Sequence, residues 1–130
     1  MFTAYFDCSH GGMRAGTFAV SGWVSTAERW VEFVNEWQGI LNAYGVPYFH
    51  MREFAHSRAS YSIGWKGDEP KRCAFIQKLL GAISRHAMAG FACLAESKVY
   101  REVDREYQVQ EHFGSEYALC SRVCVAKVRT

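Results

Sequence analysis

The N-terminal residues alternate between apolar and polar side chains, as they do in a β-strand. From residue 2 to residue 8, one face would carry Phe2, Ala4, Phe6 and Cys8, and the other would carry Thr3, Tyr5 and Asp7. The segment Thr17–Val24 is again rich in aromatic and β-branched residues. Between them, residues 9–16 contain three glycines, which is typical of a turn. The two segments therefore predict a β-hairpin.

Two longer segments repeat apolar residues at three- and four-residue steps, which is the period of an amphipathic helix. The first follows Ser25-Thr26-Ala27-Glu28, which has the form of a capping box, and ends before Gly45 and Pro47. The second follows Asp68, a candidate N-cap, and extends from Glu69 to about His86. The buried positions expected in the first helix are Ala27, Trp30, Val31, Val34, Trp37, Leu41 and Tyr44, and those in the second are Phe75, Ile76, Leu79, Leu80 and Ile83.

The remaining segments complete an alternating order of elements. Tyr48–Met51 is expected to be a strand or an extended segment, and residues 57–67 a loop. Ala87–Ala95 is uncharged and short, which favours a buried strand. Ser97 and Ser115 can cap two further helices, with Gly114 between them. The order strand, strand, helix, strand, helix, strand, helix, helix predicts one α/β domain over residues 1–130, with helices packed on a mixed β-sheet.

Composition restricts the class of protein only weakly. The net charge of +2 comes from scattered Lys and Arg residues, so composition gives no independent argument for nucleic acid. No secretion signal is recognised at the N-terminus, and no apolar run approaches the roughly 18 residues of a membrane span. Five cysteines without zinc-site spacing predict reduced core thiols and favour the cytoplasm: Cys8, Cys73, Cys93, Cys120 and Cys124.

The first strand also resembles that of a known family. The segment Thr3–His10 is similar to the opening of the family called domain of unknown function 3800, which comprises uncharacterised bacterial and phage proteins and usually has Asp-Glu-Ser-Gly at this point. Asp7 and Ser9 match that motif, whereas Cys8 and His10 do not. Further similar blocks are Phe18–Val24, Trp37, Tyr48–His56, Gly64–Trp65 and Lys71–Arg72.

The resemblance implies a ribonuclease-H-like fold and a metal-dependent nuclease or phosphodiesterase activity. In such enzymes, a carboxylate on the first strand joins others to hold divalent ions, here magnesium or manganese, and nucleic acid is the implied partner. Members of the family are usually longer, and the part that supplies later acidic residues is absent or shortened here. Three expectations are therefore open: a truncated chain, a site completed in another way or by a partner chain or oligomer, and a non-catalytic protein-interaction domain.

Two-metal hydrolysis needs several carboxylates around ions about 4 Å apart. Asp7 is the first candidate ligand; the alternative is that it lies at the exposed strand end or accepts hydrogen bonds from the amides of the turn at residues 9–12. Glu53 is the second candidate ligand, and it can also act as an acid-base group together with His50. If residues 51–56 form a helical turn, His50, Glu53 and His56 share one side. The alternative for the histidines is a structural, hydrogen-bonded role.

Four residues are candidates for substrate binding. Ser9 can bond a phosphate or simply close the turn, and Arg52 lies in the family-like block around Glu53. Trp65 and Lys66, in a glycine-flanked loop, can stack on and neutralise a single strand. The alternative for Trp65 is that it pins this loop to the core.

Other reactive residues argue against a complete magnesium site. Cys8 replaces a family carboxylate with a thiol, which prefers softer metals. Cys8 as a nucleophile beside His10 lacks a third, orienting group. Glu96, Asp104 and Glu116 are the only later acids considered as ligands, and each is also explained by a solvated helix end or face.

Overall fold

The computed structural model describes residues 1–10 and 16–129, so most of the predicted turn, including Gly11 and Gly12, lies outside the described residues. In chain order, the elements are β1 (Phe2–His10), β2 (Thr17–Thr26), α1 (Ala27–Ala43), α2 (Met51–Ala55), a 3₁₀ turn (Ala59–Tyr61), α3 (Glu69–His86), β3 (Ala89–Glu96), α4 (Ser97–Tyr107), α5 (Val109–Phe113) and α6 (Glu116–Arg129). They form two compact units. We call Met1–Thr26 with Met88–Thr130 the sheet unit, and Ala27–Ala87 the helical unit. The prediction of a single domain stays a prediction.

The sheet unit contains three strands in the order β1-β2-β3. Both pairings are antiparallel, with Asp7 beside Ser21 and Ser21 beside Ala92. The predicted hairpin is therefore confirmed, but the prediction of a mixed sheet is wrong for the described residues. The reason is that the chain returns from the helical unit into β3 antiparallel to β2, so no described strand pair is parallel.

Helix α6 covers one face of this sheet, where it packs on β2 and β3. The buried core there consists of Phe18, Val20, Cys120 and Cys124, with Cys93 and Ala95 packed against it. The ring of Phe18 also meets Tyr117 edge to face. The first strand contributes none of the buried residues in this cluster, which makes the core of the sheet unit small.

The helical unit is built on contacts between α1 and α3. Gly45, with φ of +67°, follows α1 as its sequence predicts, because glycine adopts this left-handed conformation without strain. Asp68 caps α3, since its carboxylate accepts a hydrogen bond from the Lys71 amide at 3.1 Å. The buried cluster comprises Leu41, Val46, Phe54, Tyr61, Trp65, Phe75 and Leu79.

Two predicted apolar stripes are partly wrong. In α1, Leu41 is buried, whereas Val31 and Val34 are exposed. Phe33 and Ile40 pack there instead, since the ring of Phe33 contacts Trp37 and Ile40 packs against the buried cluster. In α3, Leu80 is exposed and Ala82 is buried.

Two predicted boundaries also change. Residues 48–50 form no strand, since the described part of the helical unit has no strand with which they could pair; His50 has an extended backbone, and Met51 already belongs to α2. The segment after α4 contains the additional helix α5, and Gln108, with φ of +52°, separates the two. Gly114, with φ of +80°, marks the predicted break before α6. Across the described ranges, no helix has the length and apolar composition needed to cross a membrane.

Candidate functional site

Asp7 lies exposed on β1, on the sheet face opposite α6. Its Oδ1 accepts a hydrogen bond from the Cys8 amide at 2.8 Å. Directly opposite residues of antiparallel strands point to the same face, so Asp7 shares its face with Ser21 and Ala92. We call this the open sheet face, and define it by Tyr5, Asp7, Ser21, Trp23, Ala92 and Leu94. The exposure of Asp7 agrees with the structural alternative, but the strand continues beyond it to His10, and this hydrogen bond comes from Cys8 within the strand.

Cys8 and Ser9 are exposed on β1, which continues to His10. The prediction that Ser9 belongs to the turn is therefore wrong. Cys8 is also not a core thiol, and the same correction applies to Cys73, which is exposed on α3. Exposure leaves both thiols accessible, but nothing on β1 holds Cys8 beside an orienting group in the part of the chain that the structure describes.

Glu53, on α2, is the centre of a small polar cluster in the helical unit. The Tyr48 hydroxyl donates a hydrogen bond to Glu53 Oε2 at 2.9 Å, and His50 Nδ1 lies 4.0 Å from Glu53 Oε1. The predicted proximity of His50 and Glu53 is confirmed, because Met51–Ala55 is helical and the two residues are three positions apart. His56 follows α2 as its exposed C-cap residue.

Two tyrosines near Glu53 are held in their protonated form. The hydrogen bond to Glu53 raises the pKa of Tyr48, and burial and the charge of Glu53 add to the effect. Burial raises the pKa of Tyr61 to about 12, with further contributions from Glu53 and Tyr48. The Tyr61 hydroxyl donates to the Tyr48 carbonyl at 2.7 Å. Tyr48 was not singled out from the sequence, although it lies in the same block as His50 and Glu53. The cluster can hold a proton on Tyr48 beside an acceptor carboxylate.

The candidate substrate-binding residues separate into exposed and buried ones. Arg52 and Lys66 are exposed. Trp65 is only 2% exposed and packs among Phe54, Tyr61 and Phe75, so the prediction that it stacks on a nucleic-acid strand is wrong. The alternative holds, because the indole pins its loop to the aromatic core, and Lys71 lies 4.2 Å above its ring.

The donor set does not fit a two-metal centre. No group of three or more His, Cys, Asp or Glu side chains that could hold a metal ion is present within residues 1–10 and 16–129. Asp7 belongs to the sheet unit, whereas His50 and Glu53 belong to the helical unit. Asp104 accepts a hydrogen bond from the Gln110 amide at 2.6 Å, and Glu116 lies in the first turn of α6. These contacts match the structural alternative for Asp104 and Glu116.

The buried thiols form a separate cluster behind the sheet. Cys120 and Cys124 are buried, as the sequence predicts for core thiols, and Cys93 is partly buried. Burial raises the pKa of Cys120 to about 12, with smaller contributions from the nearby thiols and Glu116, and burial likewise raises the pKa of Cys124. Thiols with raised pKa values are weak nucleophiles, so this cluster is a packing feature.

No family model, curated protein or solved structure matched this chain when it was compared with known proteins. The resemblance to domain of unknown function 3800 therefore stays a prediction.

Proposed function

We propose that this chain acts as a protein-association domain and that its sheet unit binds the partner. The observation that carries the proposal is the amount of apolar surface on this unit. On the open sheet face, the exposed fractions of Leu94, Tyr5 and Trp23 are 69%, 62% and 45%. Apolar surface of this kind, when it is contiguous, marks interaction sites in soluble proteins.

Helix α4 extends the same argument beyond the sheet. It contains no buried residue. Val99, Val103 and Tyr107 recur at four-residue steps and are all exposed, so they form an apolar stripe on one side of the helix. Aromatic side chains such as Tyr107 and Trp23 are also enriched where proteins bind one another. The sheet unit thus presents apolar groups on both its strands and its helices.

A photo-crosslinking amino acid can test this proposal. We would place benzoylphenylalanine at Leu94, on the open sheet face, and at Ile63 as a matched control. Ile63 is 88% exposed and apolar, but it belongs to the helical unit. After irradiation in cells, the adducts would be separated by mass and identified from their peptides.

The proposal predicts one discrete protein adduct from position 94 and none from position 63. The identified partner, another protein or a second copy of this chain, should then bind the purified chain and lose affinity when Leu94 is replaced by Ser. Equal, diffuse labelling from both positions would contradict a specific interface. Absence of any adduct from position 94 would contradict the proposal that the open sheet face binds the partner.

The second candidate function is a metal-dependent nuclease or phosphodiesterase, with magnesium or manganese as cofactor. The position of Asp7 favours it, since its carboxylate is accessible on the open sheet face. The cluster of Glu53, His50 and Tyr48 supplies acid-base groups in the other unit. Because the described donors do not form a metal site by themselves, this candidate needs further ligands from elsewhere.

Calorimetric titration of manganese or magnesium separates the two candidates. Stoichiometric binding by the parent chain that is lost in Asp7→Asn would favour the hydrolase, and assays on single-stranded and hybrid nucleic acids would follow. Asp104→Asn is the matched control, because Asp104, like Asp7, is an aspartate that accepts a backbone hydrogen bond, but it lies on α4. No binding by the parent would leave the association domain as the function of this chain.

A further inference from the structure

Strand β1 forms one edge of the sheet. In the described part of the chain it pairs only with β2, and it does so over all nine residues from Phe2 to His10, without a bulge. Phe2, Tyr5 and Phe6 on this strand are all exposed. A long regular edge of this kind is a template for pairing with a further strand.

The charge distribution on β1 lacks the usual protection against such pairing. Edge strands of monomeric proteins commonly carry Lys residues, prolines or bulges that prevent association. From Phe2 to Ser9, β1 has no proline, no Lys and no Arg, and Asp7 is its only carboxylate. Two copies of β1 can therefore pair without charge repulsion in any register that does not place the two Asp7 carboxylates opposite each other.

We propose that β1 pairs antiparallel with β1 of a second copy of this chain, about a two-fold axis that passes through Phe6. This inference rests on the proposal that the sheet unit binds a partner, and it names that partner for the β1 edge, which lies on the other side of β2 from Leu94 on β3. Full overlap of the two strands places Asp7 opposite Tyr5 of the second copy, and Ala4 opposite Cys8 of the second copy. A shift of two residues would instead place the two Asp7 carboxylates opposite each other, which is unfavourable.

Charge and symmetry favour the second copy over a different strand. In the full-overlap register, Ala4 meets Cys8, Phe6 meets Phe6, and Asp7 meets the neutral Tyr5, so neither Asp7 meets a like charge. In such a symmetric pair, each β1 forms backbone hydrogen bonds with the β1 of the other copy. No β1 edge then remains for a third copy, so association stops at the dimer. The two sheets would then form one continuous antiparallel sheet.

An engineered disulfide tests both the pairing and its register. The variant Ala4→Cys is made in a Cys73→Ser background, which removes the other exposed thiol. Opposite residues in antiparallel strands have Cβ atoms about 4.5–5.5 Å apart, which is close to the range that a disulfide bridges. The thiol introduced by Ala4→Cys forms a disulfide with Cys8 of the second copy. Oxidised glutathione accepts the two electrons and the two thiol protons, and becomes two molecules of reduced glutathione.

We expect Ala4→Cys to give a reducible dimer, and the Cys73→Ser background and its Ile63→Cys derivative to give none. Sedimentation of the parent chain, which needs no substitution, should show dimers of two 14.8 kDa chains that dissociate on dilution. A monomer at all concentrations would overturn the inference even if Ala4→Cys failed to fold. A dimer that Ala4→Cys does not cross-link, although it folds, would also overturn it, because the partner surface would not be β1.

The same measurements distinguish this inference from the proposed function. If position 94 cross-links to a different protein and the parent sediments as a monomer, the chain is an association domain but the second-copy inference is wrong. If position 94 gives no adduct and the parent is monomeric, both are wrong. A dimer that Ala4→Cys cross-links, without an adduct from position 94, would support the β1 pairing and exclude the open sheet face.

Discussion

The two units of this protein differ in how they use their apolar residues. The helical unit gathers an aromatic cluster in which Phe54, Tyr61, Trp65 and Phe75 are in mutual contact, with ring centroids 5.0–6.2 Å apart. The sheet unit buries a smaller cluster, half of which is cysteine. Much of its remaining apolar surface is exposed, on the strands as well as on α4. The difference indicates that the helical unit contributes most of the free energy of unfolding, whereas the sheet unit exposes apolar surface that a partner can bind.

The largest expected effect is that the sheet unit opens before the helical unit. The helical cluster contains seven buried residues and the sheet cluster four, among the residues described. At about 1.5–3 kcal/mol for each buried apolar side chain, three more of them favour the helical unit by roughly 5 kcal/mol. The sheet unit also orders more residues, which adds to its entropic cost.

Urea titration with one probe for each unit measures this difference. In Cys8→Ser/Cys73→Ser, the three remaining thiols all belong to the sheet unit, and thiol labelling reports its opening. In Trp23→Phe, the remaining tryptophans all belong to the helical unit, and fluorescence reports its unfolding. Labelling should begin at lower urea than the change in fluorescence. Coincident transitions would mean one cooperative unit and would refute the comparison.

The next largest effect is expected from the centre of the helical core. Phe75 is completely buried, and its ring lies 4.9 Å from that of Tyr44 and 5.1 Å from that of Trp65. Replacing it with Ala leaves a cavity that rigid neighbouring rings cannot fill, so the free energy of unfolding should fall by about 3–5 kcal/mol.

Val34→Ala is the matched control, because Val34 is an exposed apolar residue of the same unit. It should change the free energy of unfolding by no more than about 0.5 kcal/mol. Denaturant curves of the two variants check both values. A loss below about 1 kcal/mol for Phe75→Ala would show that the aromatic cluster relaxes freely and does not stabilise the unit.

The sequence predicted most helices and strands because their signals are local. Asp68 before α3 and Gly45 after α1 act through hydrogen bonds and dihedral angles of neighbouring residues. The sequence left two alternatives open for Trp65, because a tryptophan between glycines is typical of a loop, and only the distant aromatic rings around it decide that it is buried. The buried side of α1 was also assigned partly to Val31, since apolar steps of three and four fit more than one arc of the same helix.

The candidate site was predicted less well than the fold, for a physical reason. The pair His50 and Glu53 depends only on helical spacing, and the structure brings the two together. A metal centre with Asp7 would instead require residues far apart in sequence to converge, and spacing contains no information about that. Tyr48 could not be predicted as a member of this cluster either, because only the hydrogen bond from its hydroxyl to Glu53 shows that it belongs there.

A smaller effect is expected at the ion pairs that join α1 to α3. Arg85 and His86 donate to the Glu36 carboxylate, and the bond from His86 Nε2 is 2.7 Å long. The hydrogen bond from Arg85, followed by that from His86, lowers the pKa of Glu36 below 4.5. Glu36→Gln should therefore lose about 0.5–1 kcal/mol of stability at neutral pH, given the partial exposure of the pair.

The pH dependence of this loss has a definite sign. Because the folded state favours the charged form of Glu36, its contribution is present above pH 4.5 and disappears as the pH falls through the lowered pKa. Denaturation of the parent and Glu36→Gln at several pH values should thus give curves that converge in acid. Glu32→Gln is the control, since Glu32 lies 3.7 Å from His86 and is largely exposed, and it should have the smaller effect. A constant difference down to pH 2 would contradict the assignment.

An effect of comparable size is expected from Tyr61→Phe. The substitution keeps the ring in the aromatic core but removes the hydrogen bond to the Tyr48 carbonyl, which should cost about 0.5–1.5 kcal/mol.

Because burial raises the pKa of Tyr61 to about 12, the folded state keeps this proton while the unfolded chain releases it near pH 10. The stability of the parent should therefore fall between about pH 10 and 12, and this part of the fall should be absent in Tyr61→Phe. Thermal unfolding across this range measures it, with Tyr107→Phe as an exposed control from the sheet unit. Parallel curves for the parent and Tyr61→Phe would mean that the hydroxyl is solvated and that the helical core is more open than its packing indicates.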